Sequence, residues 1–453
     1  MVPPTVDSAR RVAWEVLAAV RTHGAYVNLT LPALLRERGV EGRDAAFATE
    51  LTHGTVRRQG SYDAVLATCT DRPLSRLDPG VLDVLRLGCH QLLWMRVPSH
   101  AAVDTSVDLT RLMIGHRPTS LVNAVLRKVA RRDFDAWMDV VAPAGECEPL
   151  ARLAIVHSHP RWIVDAFYDA LGASVAETEA LLRADNEAPA VTLVARPGLL
   201  DPDDLTSDAT HGRWSPYART LTSGDPGAIP DVRRGRAGVQ DEGSQLVTLA
   251  AAATAVDGRD CWWLDACAGP GGKAALLAAL ATARDARVMA QEIHPHRALL
   301  VANSLRLLKE AVVVVADGTQ STWRNDAFDR VLVDAPCTGL GALRRRPEAR
   351  WRRTAADVAP LAHLQTTLLH RSLDATRPGG VAAYVTCSPH RAETVDVVAR
   401  VRADRADVDL LDATEVMQSV TVERLADVAA PYLQLWPHRH GTDGMFLALL
   451  RRR

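Results

Sequence analysis

The 453-residue chain is predicted to be multidomain: an all-helical first part, a small α+β connecting region and a doubly wound α/β core. Its length passes the size at which a single hydrophobic core usually stops growing and a chain divides. Apolar residues recur at helical spacing through the first part. From Cys261 onward, short apolar runs alternate with helix-length segments, the rhythm of strands joined by crossover helices. The divisions are expected at 1–140, 141–235 and 236–453.

Each element has its own signal. Ala9, Val12, Ala13, Val16, Leu17 and Val20 fall on one helical face after Asp7. Asp78-Pro79 supplies a cap and a first-turn proline for the segment carrying Val81, Leu82, Leu85 and Leu92. Pro118 opens a further pattern through Leu121, Val122, Val125 and Val129, after which Ala142-Pro143-Ala144-Gly145 has the composition of a linker. Another helical stretch from about Pro160 leads into the alternating Val191-Thr192-Leu193-Val194 and a region rich in glycine, proline and aspartate. In the core, strands are expected over Cys261–Leu264, Arg287–Ala290, Val312–Val315, Arg330–Val333 and Val381–Val385.

Composition narrows the class. With 47% hydrophobic and 24% charged residues the chain is an ordinary globular protein, far from the polar signature of disorder. A formal net charge of -1 gives no overall cationic field, so contact with nucleic acid has to come from local clustering of the 53 lysines and arginines. The seven cysteines, Cys69, Cys89, Cys147, Cys261, Cys267, Cys337 and Cys387, include no Cys-x-x-Cys pair; they read as reduced thiols, with no metal site expected. The opening residues Met1 to Ser8 lack the apolar core of a signal peptide, and no stretch has the length and apolarity of a membrane span. A cytoplasmic location is expected.

After Trp262-Trp263-Leu264 comes Asp265-Ala266-Cys267-Ala268-Gly269-Pro270-Gly271-Gly272-Lys273, and then a helical pattern of alanine and leucine. Strand, glycine turn and helix in that order let a backbone approach a ligand closely and offer it unpaired N–H groups. The turn is neither Gly-x-Gly-x-x-Gly nor a phosphate loop, which favours another adenosine ligand over a dinucleotide or ATP; a tight connection with no ligand has the same outline. Glu292, Asp317 and Asp334 each follow a predicted strand, where acids meet ligands in open α/β sheets, the one after the second strand on ribose hydroxyls. Singly, each has the alternative of a solvated loop residue or helix cap.

Two cysteines also end late strands: Cys337 in Asp334-Ala335-Pro336-Cys337-Thr338-Gly339-Leu340-Gly341 and Cys387 in Thr386-Cys387-Ser388-Pro389. One such cysteine is ordinarily an inert buried residue, whereas two, each beside a proline and a small hydroxyl residue, point to catalysis. Following Cys337, the run Leu343 to Arg353 holds Arg344, Arg345, Arg346, Arg350, Trp351 and Arg352, groups suited to phosphate contact and base stacking, or in isolation to a solvated loop. His390, His438 and His440 have no metal-like spacing and read as surface or RNA-facing residues.

The strings Asp265 to Lys273, Asp334 to Gly341 and Thr386 to Pro389 resemble the cofactor loop and the two cysteine motifs of the NSUN/RsmB (Fmu, Sun) RNA cytosine-5 methyltransferases. The likeness extends through Val239 to Gln245 and Thr442 to Phe446, over roughly the last two thirds of the chain. Gly54 to Arg57, Leu85 to Gly88 and Val122 to Arg127 resemble the NusB-like RNA-binding domain of the RsmB branch. Three departures stand out: Gly269 where the family more often has alanine, Glu292 where it more often has aspartate, and Met445 where phenylalanine is usual.

The resemblance implies an all-α NusB-like domain followed by a Rossmann-like class I methyltransferase core, with S-adenosyl-L-methionine held by Ala266, Cys267, Ala268, Gly269, Pro270, Gly271, Gly272, Lys273, Glu292, Asp317 and Asp334. It implies that Cys387 attacks C6 of cytosine so that C5 becomes nucleophilic, and that Cys337 serves release of the product. Asp334 would meet the N3/N4 edge of the base and Lys273 would position that acid, on a looped or flipped nucleotide. The expected substrate is 16S ribosomal RNA, acted on by a monomer with no DNA or membrane partner. A transfer RNA cytosine-5 methyltransferase and a non-catalytic RNA-binding ribosome assembly factor are the alternatives.

Overall fold

A computed structural model describes residues 7–453 apart from 96 and 146; the first six residues of the opening segment, read above for a signal-peptide pattern, lie outside the described residues. The chain forms two compact units. One holds the residues up to Ala188 together with Leu343–Arg353, the other Pro189–Ala342 together with Thr354–Arg453.

The first unit is helical, as its periodicity predicts. The helix Ser8–His23 starts where the Asp7 side chain accepts from the Arg10 N–H, and its stripe Ala9, Val12, Ala13, Val16 and Leu17 is buried. Asp78 likewise accepts from the Gly80 and Val81 N–H groups to open Pro79–Leu93, and Thr119–Val129 follows Pro118. Val16, Leu51, Tyr62, Leu85 and Leu126 meet in one apolar cluster, each such side chain contributing about 1.5–3 kcal/mol on leaving water.

This unit extends past the boundary expected near residue 140. The Ala142–Gly145 stretch is only a loop, because the helices Pro149–Val156, Arg161–Ala170 and Val175–Asp185 return to the same body. Ser61 Oγ donates to the Ile155 carbonyl at 2.6 Å, and the Gly60 N–H donates to Ser158 Oγ at 2.8 Å. Composition marks where a chain turns, while these long-range bonds decide which body a segment joins.

The second unit carries two sheets. The smaller is antiparallel, with β1 (Thr192–Ala195), β2 (Ala209–His211), β3 (Ala218–Leu221) and β4 (Ala237–Val239) in the order β2-β3-β1-β4. The strand expected around Val191–Val194 is β1, and all four of its residues are buried. The larger sheet comprises β5 (Trp262–Asp265), β6 (Arg287–Glu292), β7 (Ala311–Val315), β8 (Phe328–Asp334), β9 (Thr376–Thr386), β10 (Val408–Leu411), β11 (Leu433–Gln434) and β12 (Phe446–Arg452). Its order is β10-β12-β9-β8-β5-β6-β7, with β11 beside β12. Strands β5 to β9 run parallel, whereas β12 is antiparallel to both β9 and β10.

The five core strands read from the sequence are β5 to β9; β10 and β12 give no comparable signal. Neighbouring residues enter opposite cores: Trp263, Leu332, Val385 and Leu447 join one apolar cluster, Leu264, Val331, Tyr384 and Phe446 the other. Cover on both faces explains why β5, β6, β8 and β9 appear as continuous apolar runs rather than alternations, while the edge strand β7 leaves Val312 and Val315 exposed. The strand order reverses between β5 and β8, which puts a crevice for a ligand beyond their carboxyl ends.

Candidate active site

Strand β5 delivers Asp265 to that crevice. The residue is fully buried; its Oδ1 accepts weakly from the Cys267 N–H at 3.3 Å and its Oδ2 has no hydrogen-bond partner. Burial, and then the charge of Asp334, push its carboxyl up to about pKa 7. The loop that follows is stitched to the neighbouring strands, the Ala266 N–H donating to the Leu332 carbonyl and the Ala268 N–H to the Gln291 carbonyl. Gly271 sits at φ +114° and a Cβ there would lie 3.0 Å from the Val301 backbone, so only glycine makes this turn. The helix Gly272–Thr282 then begins with no side chain capping its N-terminus, leaving its first N–H groups directed at the crevice.

Glu292 closes β6 with its carboxylate buried, Oε1 accepting from the His294 N–H at 3.0 Å and Oε2 lying 3.7 Å from Arg297 Nε. Asp317, past β7, accepts from both the N–H and the hydroxyl of Thr319, and the backbone bond first of all holds its pKa below the usual carboxylate range. An unpartnered buried carboxylate, uncapped amides and an acid at the end of the second strand fit a cationic adenosine ligand with a ribose diol. Pro270 is exposed and Gly272 is open around its missing side chain, whereas burial before all else raises the Cys267 thiol well above its ordinary pKa, as for an inert core thiol.

Four of the residues singled out for chemistry meet one another. Lys273 Nζ donates to Asp334 Oδ2 at 2.8 Å, and Cys337 Sγ lies 3.4 Å from Cys387 Sγ. Burial alone would lower the Lys273 pKa, but the charge and hydrogen bond of Asp334 outweigh it and the group is held above its usual value. The hydrogen bond to Cys387, followed by burial, raises the Cys337 thiol well above the ordinary cysteine range. Asp334 ends β8 and Cys387 follows β9, adjacent parallel strands, and the Ala335 N–H donates to the Val385 carbonyl to align them. The Gly341 N–H donates to the Cys387 carbonyl at 2.9 Å and the Gly444 N–H to the Gly341 carbonyl at 2.7 Å; a Cβ on Gly341 would come within 1.9 Å of the Gly444 carbonyl oxygen. Asp241 Oδ1 accepts from the Gly243 and Asp443 N–H groups, so the strings around 241 and 443 fasten to each other beside the same loop.

The arginine run lies in the first unit and divides in two. Arg350 is fully buried, donating to the carbonyls of Arg57, Ser158 and Asp185 and to Asn186 Oδ1; burial pulls its pKa down to about 9. The expectation that Arg350 faces RNA is therefore replaced by a structural role. Trp351 is half-buried, its ring so close to Gly60 that a Cβ there would meet it at 2.5 Å, and Arg344 is buried. Arg346 is exposed, Arg345 and Arg352 are half-buried, and the Arg346 and Arg352 guanidiniums lie 5.2 and 5.0 Å from the Tyr26 ring centroid. His440 is also not a surface residue: buried, it accepts from the Trp436 N–H through Nδ1 and contacts the Ala426 carbonyl through Nε2. Among the described residues no group of side chains has the arrangement of a metal site, and no helix is long and apolar enough to cross a membrane.

Two residues of the site were not singled out from the sequence. Asp265 had a readable signal, as an acid ending an apolar run immediately before the glycine turn. Glu393, fully buried against both cysteine loops, had none: it follows Cys387 in an unremarkable polar stretch.

A family model described as "16S rRNA methyltransferase RsmB/F" matches residues 254–451, and one described as "NusB family" matches 7–131. The chain is 54% identical over 449 residues, 99% of its own length and 97% of the relative's, to a protein of Mycobacterium tuberculosis (strain CDC 1551 / Oshkosh) that bears the name "Putative methyltransferase". It is 31% identical over 451 residues, 97% of its length and 96% of the relative's, to ribosomal RNA small subunit methyltransferase B of Sodalis glossinidius (strain morsitans). Among solved structures, the crystal structure of PH0851 is similar with a TM-score of 0.79 at 20% identity, covering 100% of this chain and 99% of that one, a likeness of fold.

Proposed function

This chain belongs to the RsmB/F family of methyltransferases, and from that premise we propose that it methylates C5 of a cytosine in 16S ribosomal RNA through a covalent bond between Cys387 and C6 of the base. It is an S-adenosylmethionine-dependent RNA methyltransferase, with an N-terminal NusB domain ahead of the catalytic one. The observation that carries the finer reading is the pair of thiols 3.4 Å apart beside the Lys273–Asp334 ion pair, at the ends of adjacent parallel strands.

When bound, S-adenosylmethionine supplies an electrophilic methyl group on a positively charged sulfur. Asp265, the amides of the Gly269–Gly272 turn, Glu292 and Asp317 would hold it, the unpartnered Asp265 oxygen answering its positive charge. Cytosine C5 is a poor nucleophile until a thiolate adds at C6. Cys337 Sγ and Cys387 Sγ lie 3.4 Å apart, within reach of one base, which supports a division of addition and release between them with Cys387 as the thiol that adds. Lys273 holds one Asp334 oxygen, leaving the other to meet the N3/N4 edge of the base during addition. After transfer, the remaining C5 proton passes to Cys337 acting as a thiolate base, the C5–C6 double bond re-forms, and the C6–S bond breaks with its electrons returning to the Cys387 sulfur. The exposed Arg346, with Arg345 and Arg352, is assigned to phosphate contact.

The test is to incubate the purified protein and cofactor with unmodified 16S ribosomal RNA and, separately, transfer RNA, and to map bisulfite-resistant cytosines. One resistant cytosine in 16S RNA is expected. Modification of transfer RNA alone would move the substrate, and cofactor-dependent methylation elsewhere than C5 would overturn the thiol chemistry.

A further inference from the structure

Glu393 ends the turn Arg391–Glu393 after β9 and is fully buried. Its Oε1 accepts from the Thr338 N–H at 2.8 Å and from Gln365 Nε2 at 3.2 Å; its Oε2 accepts from Ser388 Oγ at 2.6 Å and from the Thr338 hydroxyl. Thr338 directly follows Cys337, and Ser388 directly follows Cys387. The two hydroxyls are themselves 3.1 Å apart. Gln365 also donates to the Pro336 carbonyl at 2.8 Å, so both neighbours of Cys337 are tied to this group. The Tyr384 hydroxyl, from within β9, donates to the Glu393 carbonyl at 2.7 Å and anchors the residue to the sheet.

A carboxylate withdrawn from water is costly unless its lone pairs are met, and an apolar side chain would fill the same space at less cost. What the carboxylate adds is a single rigid acceptor shared by two loops that are 50 residues apart. We propose that Glu393 is a positioning residue that sets the separation of the two thiols, holding the Cys337 and Cys387 loops to one point so that addition and release act on the same base. This rests on the reading of Cys387 and Cys337 given above. Glu393 is bonded to Thr338 and Ser388, the residues that follow the two cysteines, and acts through them.

Charge-conserving Glu393→Asp pulls the carboxylate back by one methylene so that it cannot reach both loops, and Ser388→Ala cuts one arm while leaving Glu393 in place. In the absence of RNA and cofactor, diamide takes two electrons and two protons from the thiols, becoming its hydrazine, and leaves an S–S bond of about 2.05 Å whose formation mass spectrometry follows. Loosened loops spend less time with their thiols apposed. Losing a hydrogen bond to a charged group should slow Cys337–Cys387 cross-linking about tenfold in each variant. Methylation kcat should fall by a similar factor with KM for RNA and cofactor unchanged.

A lowered melting temperature with cross-linking and kcat as in the native protein would show mere stabilisation and overturn the proposal. Should Glu393→Asp fail to fold, Ser388→Ala decides it by the same two rates. Native protein that cross-links but methylates no RNA would refute the proposed function, while the cross-linking comparison still decides the role of Glu393.

Discussion

Replacing Gly269 with alanine is expected to weaken cofactor binding while leaving the fold nearly as stable, and shortening Glu292 in the same protein is expected to restore it. A Cβ at position 269 would lie 2.0 Å from Glu292 Oε2 and 2.9 Å from the Arg297 guanidinium. The clashing atom is the end of a flexible side chain, so the carboxylate moves and the backbone need not, for about 1 kcal/mol, the low end of overpacking costs. The displaced carboxylate gives up its bond from the His294 N–H and its place beside Arg297, and with them the hydrogen bond assigned to the ribose. A charged hydrogen bond contributes about 1.5–3 kcal/mol, so Kd should rise roughly 10- to 150-fold. Gly269 and Glu292 are two of the positions where the sequence departs from the pattern it resembles, and here the longer acid occupies the space that a methyl group at 269 would take. Calorimetric titration of the native protein, Gly269→Ala, Glu292→Asp and the double variant closes the cycle. Affinity in the double variant should return to within about threefold of native, since sites in contact are not additive. Native affinity in Gly269→Ala, or a double variant no tighter than that single one, would refute the pairing.

Asp265 gives cofactor binding a pH dependence. Its ionised form meets the cationic ligand, so affinity should rise as pH passes through about 7, and Asp265→Asn should bind weakly with that dependence gone. Because its folded pKa lies above the ordinary 3.8, the unliganded protein holds more protons than the unfolded chain in that window and loses stability as pH climbs to about 7, measurable by denaturant titration. Gly271→Val should abolish cofactor binding in calorimetry, as φ +114° costs a side chain about 1–3 kcal/mol beyond its clash with Val301, while the helical unit's unfolding transition stays in place. Arg350→Met should destabilise the helical unit by about 3 kcal/mol in thermal melts, because several oxygens lose their donor at once. Neutralising the exposed Arg346 instead should leave the melt alone and reduce the salt slope of RNA binding by about 1.

The architecture was legible wherever a local signal carries it. Asp7 and Asp78 cap helices that their sequence context predicts, and the apolar runs at β5, β6, β8 and β9 are continuous because the sheet is covered on both faces there. β10 and β12 were missed because Val408–Leu411 and Phe446–Arg452 earn their place by antiparallel pairing at the far side of the sheet, not by a βα rhythm. The same holds for the extent of the helical unit, where Gly60 and Ser61 recruit residues 155 and 158, and for Arg350, whose charge advertises a surface while its partners lie about 165 to 293 positions away. At the site, glycine turns and strand-end acids and cysteines are sequence-local features; Glu393 is defined only by what folds around it.

The most direct measurement of the thiol mechanism separates the two cysteines. Each variant, Cys337→Ala and Cys387→Ala, is incubated with substrate RNA and S-adenosylmethionine and run on a denaturing gel. Addition precedes methyl transfer and release follows it, so Cys337→Ala should trap a slow-migrating protein–RNA adduct and Cys387→Ala should show neither adduct nor product. An adduct from Cys387→Ala in place of Cys337→Ala would reverse the roles, and the absence of one from both would contradict covalent catalysis by this pair.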